Sequence, residues 1–253
     1  MIERYISPDQ QATTPIPSDN QYLNVCELFG ITLQGEGHWM GHPALFLRLM
    51  GCHLNCLFCD TASIMNKGDR YSFAELIKLI DASAQTLRNG AHLVITGGSP
   101  LIQAHRLALF IRQLDQHLGF EPYIEIENDC TMRVDDLYLL NRVNCWNNSP
   151  KLSHSQIARA KRLKPQALVQ MNKHTGMSWF KFVIRDDEDW QEIERQYLTP
   201  GHVSRSKIIL MPCGASRQEL EQHRVVVAEI AIRERVRYSD RLHVQLYDQR
   251  QGV

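Results

Sequence analysis

From Tyr22 onward, short apolar and β-branched runs alternate with amphipathic stretches, the pattern of βα units rather than of a sandwich or a helical bundle. Strands are predicted at 45–50, 92–96, 123–127, 143–147, 180–184, 207–211 and 242–246. Most are short and apolar enough to be buried on both faces, as parallel strands between helices are. Ser72 with Glu75, and Ser216 with Glu219, each fit a capping box at the start of a helix. Leu76, Ile77 and Ile80 then form one apolar stripe, and Leu107, Phe110, Ile111 and Leu114 another, at the spacing of helices packed on a sheet. About six or seven such repeats predict an α/β barrel or doubly wound sheet, where ligands sit at the carboxyl ends of the strands.

Residues 1–21 break the pattern. They are polar, carry Pro8, Pro15 and Pro17, and read as a flexible arm ahead of a single domain, 22–253. Composition adds little: 43% of the 253 residues are apolar and 22% charged, an ordinary globular mixture that excludes disorder for the bulk of the chain. With 28 Lys and Arg against 28 Asp and Glu, the chain is not expected to track nucleic acid. No apolar run approaches the ~18 residues of a membrane span, and the first ten residues lack the apolar stretch of a secretory signal. The expectation is a cytoplasmic protein without a membrane partner.

The cysteines change the picture. Three of seven, Cys52, Cys56 and Cys59, lie at C-x3-C-x2-C directly after a predicted strand. Three thiolates at this spacing can each hold one iron of a cubane cluster and leave the fourth iron open. Zinc is the rival: the same three with His53 could close a tetrahedral site, although no second C-x2-C knuckle exists. Arg48 stands among apolar residues in FLRLM, where an unpaired guanidinium is costly, so a carboxylate partner is expected, from the chain or from a ligand.

This cysteine loop resembles that of the radical S-adenosylmethionine superfamily. Its flanks narrow the resemblance: Leu33-Gln34-Gly35-Glu36-Gly37, Gly41-His-Pro43, FLRLMGC and CDT precede or close the loop. Ile95-Thr96-Gly97-Gly98, Ile126-Glu127, Ser149-Pro150-Lys151, Leu210-Met211-Pro212, Arg241-Leu-His243 and the terminal Gly252-Val253 follow in order. Together they are similar to the 7-carboxy-7-deazaguanine synthase family over residues 22–253.

The resemblance implies an α/β fold of the incomplete (β/α) barrel type with about six parallel strands, the radical SAM core. It implies a [4Fe-4S] cluster on Cys52, Cys56 and Cys59, with S-adenosylmethionine contacted by Phe58, Cys59, Asp60, Gly98, Ser149, Pro150 and Lys151. Leu33, Gln34, Gly35, Arg48, Thr96 and Val253 would contact a pterin substrate, with His243 a further candidate, and Thr61 would hold Mg2+. The implied reaction converts 6-carboxy-5,6,7,8-tetrahydropterin to 7-carboxy-7-deazaguanine with loss of ammonia. A one-electron donor such as flavodoxin and a homodimer are implied as well. Rival readings are a glycyl-radical activase acting on a protein, and a non-catalytic iron–sulfur or zinc relative.

Two tags depart from the family pattern. GGEP, whose glutamate takes the cofactor's ammonium, reads Gly97-Gly98-Ser99-Pro100 here, and ETNGT reads Glu127-Asn128-Asp129-Cys130-Thr131. A serine brings no charge, so weaker cofactor binding is expected unless Glu125, Glu127 or Asp129 reaches the same ammonium.

Overall fold

A computed structural model describes residues 2–13 and 21–252. Among these described residues, ten strands and nine α-helices follow one another as β1 (Glu3–Ile6), β2 (Tyr22–Leu33), β3 (Pro43–Leu49), β4 (Asp69–Ser72), α1 (Phe73–Asp81), α2 (Ala84–Arg88), β5 (His92–Gly97), α3 (Ala104–Leu118), β6 (Ile124–Asn128), α4 (Leu137–Arg142), β7 (Cys145–Asn148), α5 (Arg159–Arg162), α6 (Pro165–Lys173), β8 (Met177–Ile184), α7 (Asp187–Ile193), β9 (Ile208–Pro212), α8 (Arg217–Glu234), β10 (Arg237–Tyr238) and α9 (Leu242–Tyr247).

All ten strands join one mixed sheet, ordered β1-β2-β3-β5-β6-β7-β8-β9-β10 with β4 beside β2. From β3 to β10 every neighbouring pair is parallel, whereas β1, β3 and β4 all run antiparallel to β2. The fold is therefore α/β with a mostly parallel sheet. The period of two along the strands separates two cores. Leu45, Leu47, Leu93, Ile95, Ile124 and Ile126 pack under the helices in the larger one, while Phe46, Val94, Ala44 and Phe29 form a small cluster on the opposite face. Arg48, Thr96 and Glu127 continue that second face toward the carboxyl ends, since each lies an even number of residues from Phe46, Val94 or Glu125.

The predicted helix starts are present. Ser72 and Ser216 each accept a hydrogen bond from the N–H three residues on, at 3.2 Å in both cases, and α3 ends on left-handed Gly119. Both predicted stripes are buried.

Two expectations are corrected. Residues 242–246, predicted as the last strand, are the helix α9: the two-residue β10 already occupies the edge beside β9, and Arg217 of α8 donates to the carbonyls of Gln245 and Leu246 at 2.9 and 2.8 Å, closing the helix end. Within the polar arm, Glu3–Ile6 form a strand on β2, with Ile6 fully buried. Four residues with one buried apolar side chain are too short to show a period in the sequence. Among the described residues, no helix is long and apolar enough to cross a membrane.

Candidate functional site

The cysteine loop leaves β3 through Gly51, whose backbone turns at φ +90°. It is pinned from three directions: the Gly51 N–H donates to the Met65 carbonyl at 2.9 Å, the Ser99 N–H to the Gly51 carbonyl at 2.9 Å, and the Leu57 N–H to the Ser155 carbonyl at 3.1 Å. Phe58 stacks on His154, ring centroids 4.8 Å apart. Gly98 explains why glycine is needed after Thr96-Gly97, because a Cβ there would overlap the Gly51 carbonyl oxygen and the Cys52 side chain. The glycine pair thus seats the β5 end directly against the cysteine loop.

A cavity opens where the carboxyl ends of the parallel strands meet this loop. Of the residues singled out in the sequence, Leu33, Gln34, Gly35, Arg48, Cys52, Cys56, Phe58, Cys59, Asp60, Thr61, Thr96, Gly98, Ser149, Lys151 and His243 all line it. Pro150 is buried behind the wall and does not line it. Val253 lies outside the described residues. His243 enters from α9 rather than from a strand, and its side chain fills the space that a Cβ on Gly35 would take.

Arg48 finds a carboxylate within the chain: its Nε donates to Glu27 Oε2 at 2.9 Å, and Glu27 is fully buried. Burial opposes the Arg48 charge, but Glu27 outweighs it and raises the guanidinium pKa. Arg4 of β1 approaches the other Glu27 oxygen at 3.8 Å. Glu127 is held by Thr96, whose hydroxyl donates to it at 2.7 Å, and by the Gln34 amide at 3.4 Å. Lys151 donates to Ser149 Oγ at 3.0 Å, while Tyr197 and Arg162 both donate to the Lys151 carbonyl, at 2.8 and 3.1 Å.

Sequence reasoning missed an ionic group in the opposite wall. Glu36 of LQGEG pairs with Lys181 of β8 and accepts from Arg241 Nε at 2.9 Å, and Arg241 also pairs with Asp60. Burial disfavours the Glu36 charge, yet Lys181 and Arg241 overcome it and hold its carboxyl well below the usual range. Asp60 is likewise lowered, with Arg241 outweighing burial. Burial is the first cause of the downward shift at His243, which keeps that imidazole neutral near pH 7. The available signal was Lys181 itself, a cation inside the apolar run WFKFVI.

The donor set separates the metal readings. Among the described residues, the one group of three or more His, Cys, Asp or Glu with ligand atoms within 4.8 Å of one another is Glu36, Asp60 and His243. Lys181 and Arg241 already balance those two carboxylates. His53, the fourth ligand that a zinc site on this loop would need, does not line the cavity and is held on Thr131 Oγ1 at 2.6 Å. Three thiols without that fourth ligand in the wall are the donor set that suits a cluster with one open iron. Burial raises the Cys56 pKa, and Lys151 opposes that rise. The other cysteines are of a different kind: burial pushes Cys26 up to about 11 and raises Cys130, Cys145 and Cys213, so these thiols stay protonated.

No protein-family model matches the chain. Full-length relatives do. The chain is 32% identical over 232 residues to a 7-carboxy-7-deazaguanine synthase of Hyperthermus butylicus, covering 89% of this chain and 93% of that protein. It is 30% identical over 251 residues to a 7-carboxy-7-deazaguanine synthase of Halobacterium salinarum, covering 95% of each. Its fold superimposes on the crystal structure of QueE from Escherichia coli with a TM-score of 0.63 and 26% identity, over 89% of this chain and 99% of that one.

Proposed function

This chain belongs to the 7-carboxy-7-deazaguanine synthase family, and from that premise we propose that it converts 6-carboxy-5,6,7,8-tetrahydropterin to 7-carboxy-7-deazaguanine with loss of ammonia. Residues 22–253 are the catalytic unit in this reading, its sheet an incomplete (β/α) barrel. The observation that carries it is the convergence of Cys52, Cys56 and Cys59 with LQGEG, Arg48, Thr96 and Ser149-Pro150-Lys151 around one cavity at the strand ends.

Cys52, Cys56 and Cys59 would hold the [4Fe-4S] cluster. Together with S-adenosylmethionine, such a cluster would supply one-electron radical chemistry when bound there. The rest of the work falls to the chain. Phe58, Asp60, Gly98, Ser149 and Lys151 bound the space beside the cysteines, where an aromatic face, main chain, a hydroxyl and an ammonium suit the adenosyl and carboxylate ends of that cofactor. Lys151 is a fit donor to a carboxylate, because its own contact is a neutral hydroxyl. On the far side, Leu33, Gln34 and Gly35 present main chain to a planar heterocycle, with Arg48, Thr96 and Glu127 beneath it. Arg48 can share its guanidinium between Glu27 and a substrate carboxylate, since only its Nε is used by Glu27. Thr61 offers one hydroxyl, 3.5 Å from Cys59 Sγ, so Mg2+ there would complete its shell with substrate oxygens and water. A donor such as flavodoxin would deliver the electron, and the family resemblance supports a homodimer.

Anaerobic incubation of cluster-loaded protein with the pterin and S-adenosylmethionine, followed by mass spectrometry, is the test. The deazaguanine product is expected. Its absence with an intact cluster would overturn the assignment.

A further inference from the structure

At position 99, where the resembled family carries a glutamate, this chain has a side chain too short to reach the cavity. Ser99 is 2% exposed, does not line the wall, and its hydroxyl has no hydrogen-bond partner among the described residues. Three nearby carboxylates could carry the missing charge. Glu125 is engaged on both oxygens, by His92 Nδ1 and by Asn147 Nδ2, each at 2.7 Å, and does not line the cavity. Glu127 lines it but also has both oxygens engaged, by Thr96 and Gln34.

Asp129 differs from both. Its Oδ1 accepts from the Thr131 N–H at 2.9 Å and from the Thr131 hydroxyl at 2.5 Å, which fixes the carboxylate plane. Its Oδ2 has no hydrogen-bond partner, although the side chain is only 5% exposed and the residue lines the cavity. His53 Nε2, at 3.9 Å, is beyond hydrogen-bond reach of that oxygen and is committed to Thr131 Oγ1 at 2.6 Å. A buried carboxylate oxygen left without a donor costs free energy unless a ligand supplies one. Three cations of this cavity are already paired with acids, Arg48 with Glu27, Lys181 with Glu36, and Arg241 with Glu36 and Asp60, and the fourth, Lys151, donates to Ser149 Oγ rather than to Asp129.

Position reinforces chemistry. The neighbouring parallel strands β5 and β6 end at Gly97 and Asn128, so Gly98, which packs on Cys52, and Asp129 each follow directly on a strand end at the cavity. Asp129 also stands where the family's ETNGT has asparagine. The chain has therefore lost an acid at 99 and gained one at 129.

Resting on the cofactor reading above, we infer that Asp129 is the anionic partner of the ammonium of the amino-acid end of S-adenosylmethionine, in place of a glutamate at 99. An ammonium offers three donors to a preoriented, water-poor carboxylate oxygen, a charge-assisted bond about twice as strong as a neutral one.

The test is cofactor affinity in anaerobically reconstituted protein without pterin, read by calorimetry and by the change in the reduced cluster's EPR spectrum on adding S-adenosylmethionine. Asp129→Asn, isosteric and uncharged, is expected to weaken binding roughly 10- to 100-fold at unchanged iron content. Ser99→Glu added to Asp129→Asn is expected to recover most of that loss. Ser99→Glu alone is expected to leave affinity unchanged or lower, because a second carboxylate would crowd the first. Wild-type affinity in Asp129→Asn would overturn the assignment, as would tenfold tighter binding in Ser99→Glu alone. The latter variant decides the matter even if Asp129→Asn cannot hold a cluster. Protein that binds the cofactor but makes no deazaguanine would refute the proposed reaction, while the assignment of Asp129 would still stand or fall on these affinities.

Discussion

Lys181 sits between Phe180 and Phe182, both fully buried, and its own side chain is 6% exposed. Burial works to lower its pKa, but Glu36 overrides that and raises it, so the two charges support each other. Removing one partner of such a pair leaves the other buried, at a typical cost of about 3 to 5 kcal/mol. Because Arg241 still contacts Glu36, Lys181→Met is expected near the low end. Glu36→Gln in the Lys181→Met background should cost less than the sum of the single changes, and denaturant titration of the four proteins measures that coupling. Additive losses would mean that the two side chains do not act as a pair. Gly98 makes the opposite kind of claim, since it contributes through the absence of a side chain. Gly98→Ala must push Gly51 and Cys52 aside, so it is expected to lower iron bound per chain after reconstitution while leaving far-UV circular dichroism unchanged. Full iron loading in that variant would show that the cysteine loop yields freely.

At the level of elements, the six longer parallel strands were legible from short apolar or alternating runs between turn signals, β3, β5, β8 and β9 nearly continuous and β6 and β7 half polar, and the displacement of their ends by at most three residues changes none of the pairings. The cysteine loop and LQGEG were legible as chemistry for a different reason: their residue types are poor choices for a packed strand or helix. Tertiary contacts hid the rest. The stretch 242–246 alternates like a strand, yet only Val244 of α9 is buried, and the helix is set by the Leu242 N–H donating to the Gly35 carbonyl at 2.8 Å and by Arg217 at its other end. Lys181 and Arg241 are more than fifty residues apart and meet at Glu36 only after folding. β1 was hidden by its polar surroundings, and it yields a direct test. Ile6 is fully buried in the larger core, so Ile6→Ala is expected to destabilise the fold by about 2 to 4 kcal/mol. A change under about 0.5 kcal/mol, the scale of surface substitutions, would mean that β1 rests on the domain without contributing to it.

For the molecule as a whole, the zero formal charge conceals a set of internal ionisations that all weaken in acid. His154, His243, His38 and His174 have pKa values below the ordinary 6.5, with burial as the first cause in each. Burial works to raise Glu36, Asp60 and Asp189, yet all three lie below their ordinary values of 4.5, 3.8 and 3.8, because Lys181 and Arg241 outweigh it at Glu36, Arg241 at Asp60, and hydrogen bonds from Arg185 at Asp189. In both sets the unfolded chain takes up protons at a higher pH than the folded one, so stability is present above the ordinary value and falls as pH drops toward the folded one. The alkaline side has the opposite sign: burial raises Cys26, Cys130 and Cys145 above 9.0, so the unfolded chain gives up protons first and stability declines as pH rises past that value. Melting temperature is therefore expected to peak between about pH 7 and 9, to fall gently below about 6.5 as histidines titrate, and to fall steeply below about 4.5. His154 isolates the gentle limb, for its side chain is 4% exposed, stacks on Phe58 and contacts the Val183 carbonyl at 3.0 Å. In His154→Gln the melting temperature should be lower at pH 7.5 but should lose less between pH 6.5 and 5 than in the natural chain. Two parallel curves over that interval would remove His154 from the acid response and return it to the carboxylates.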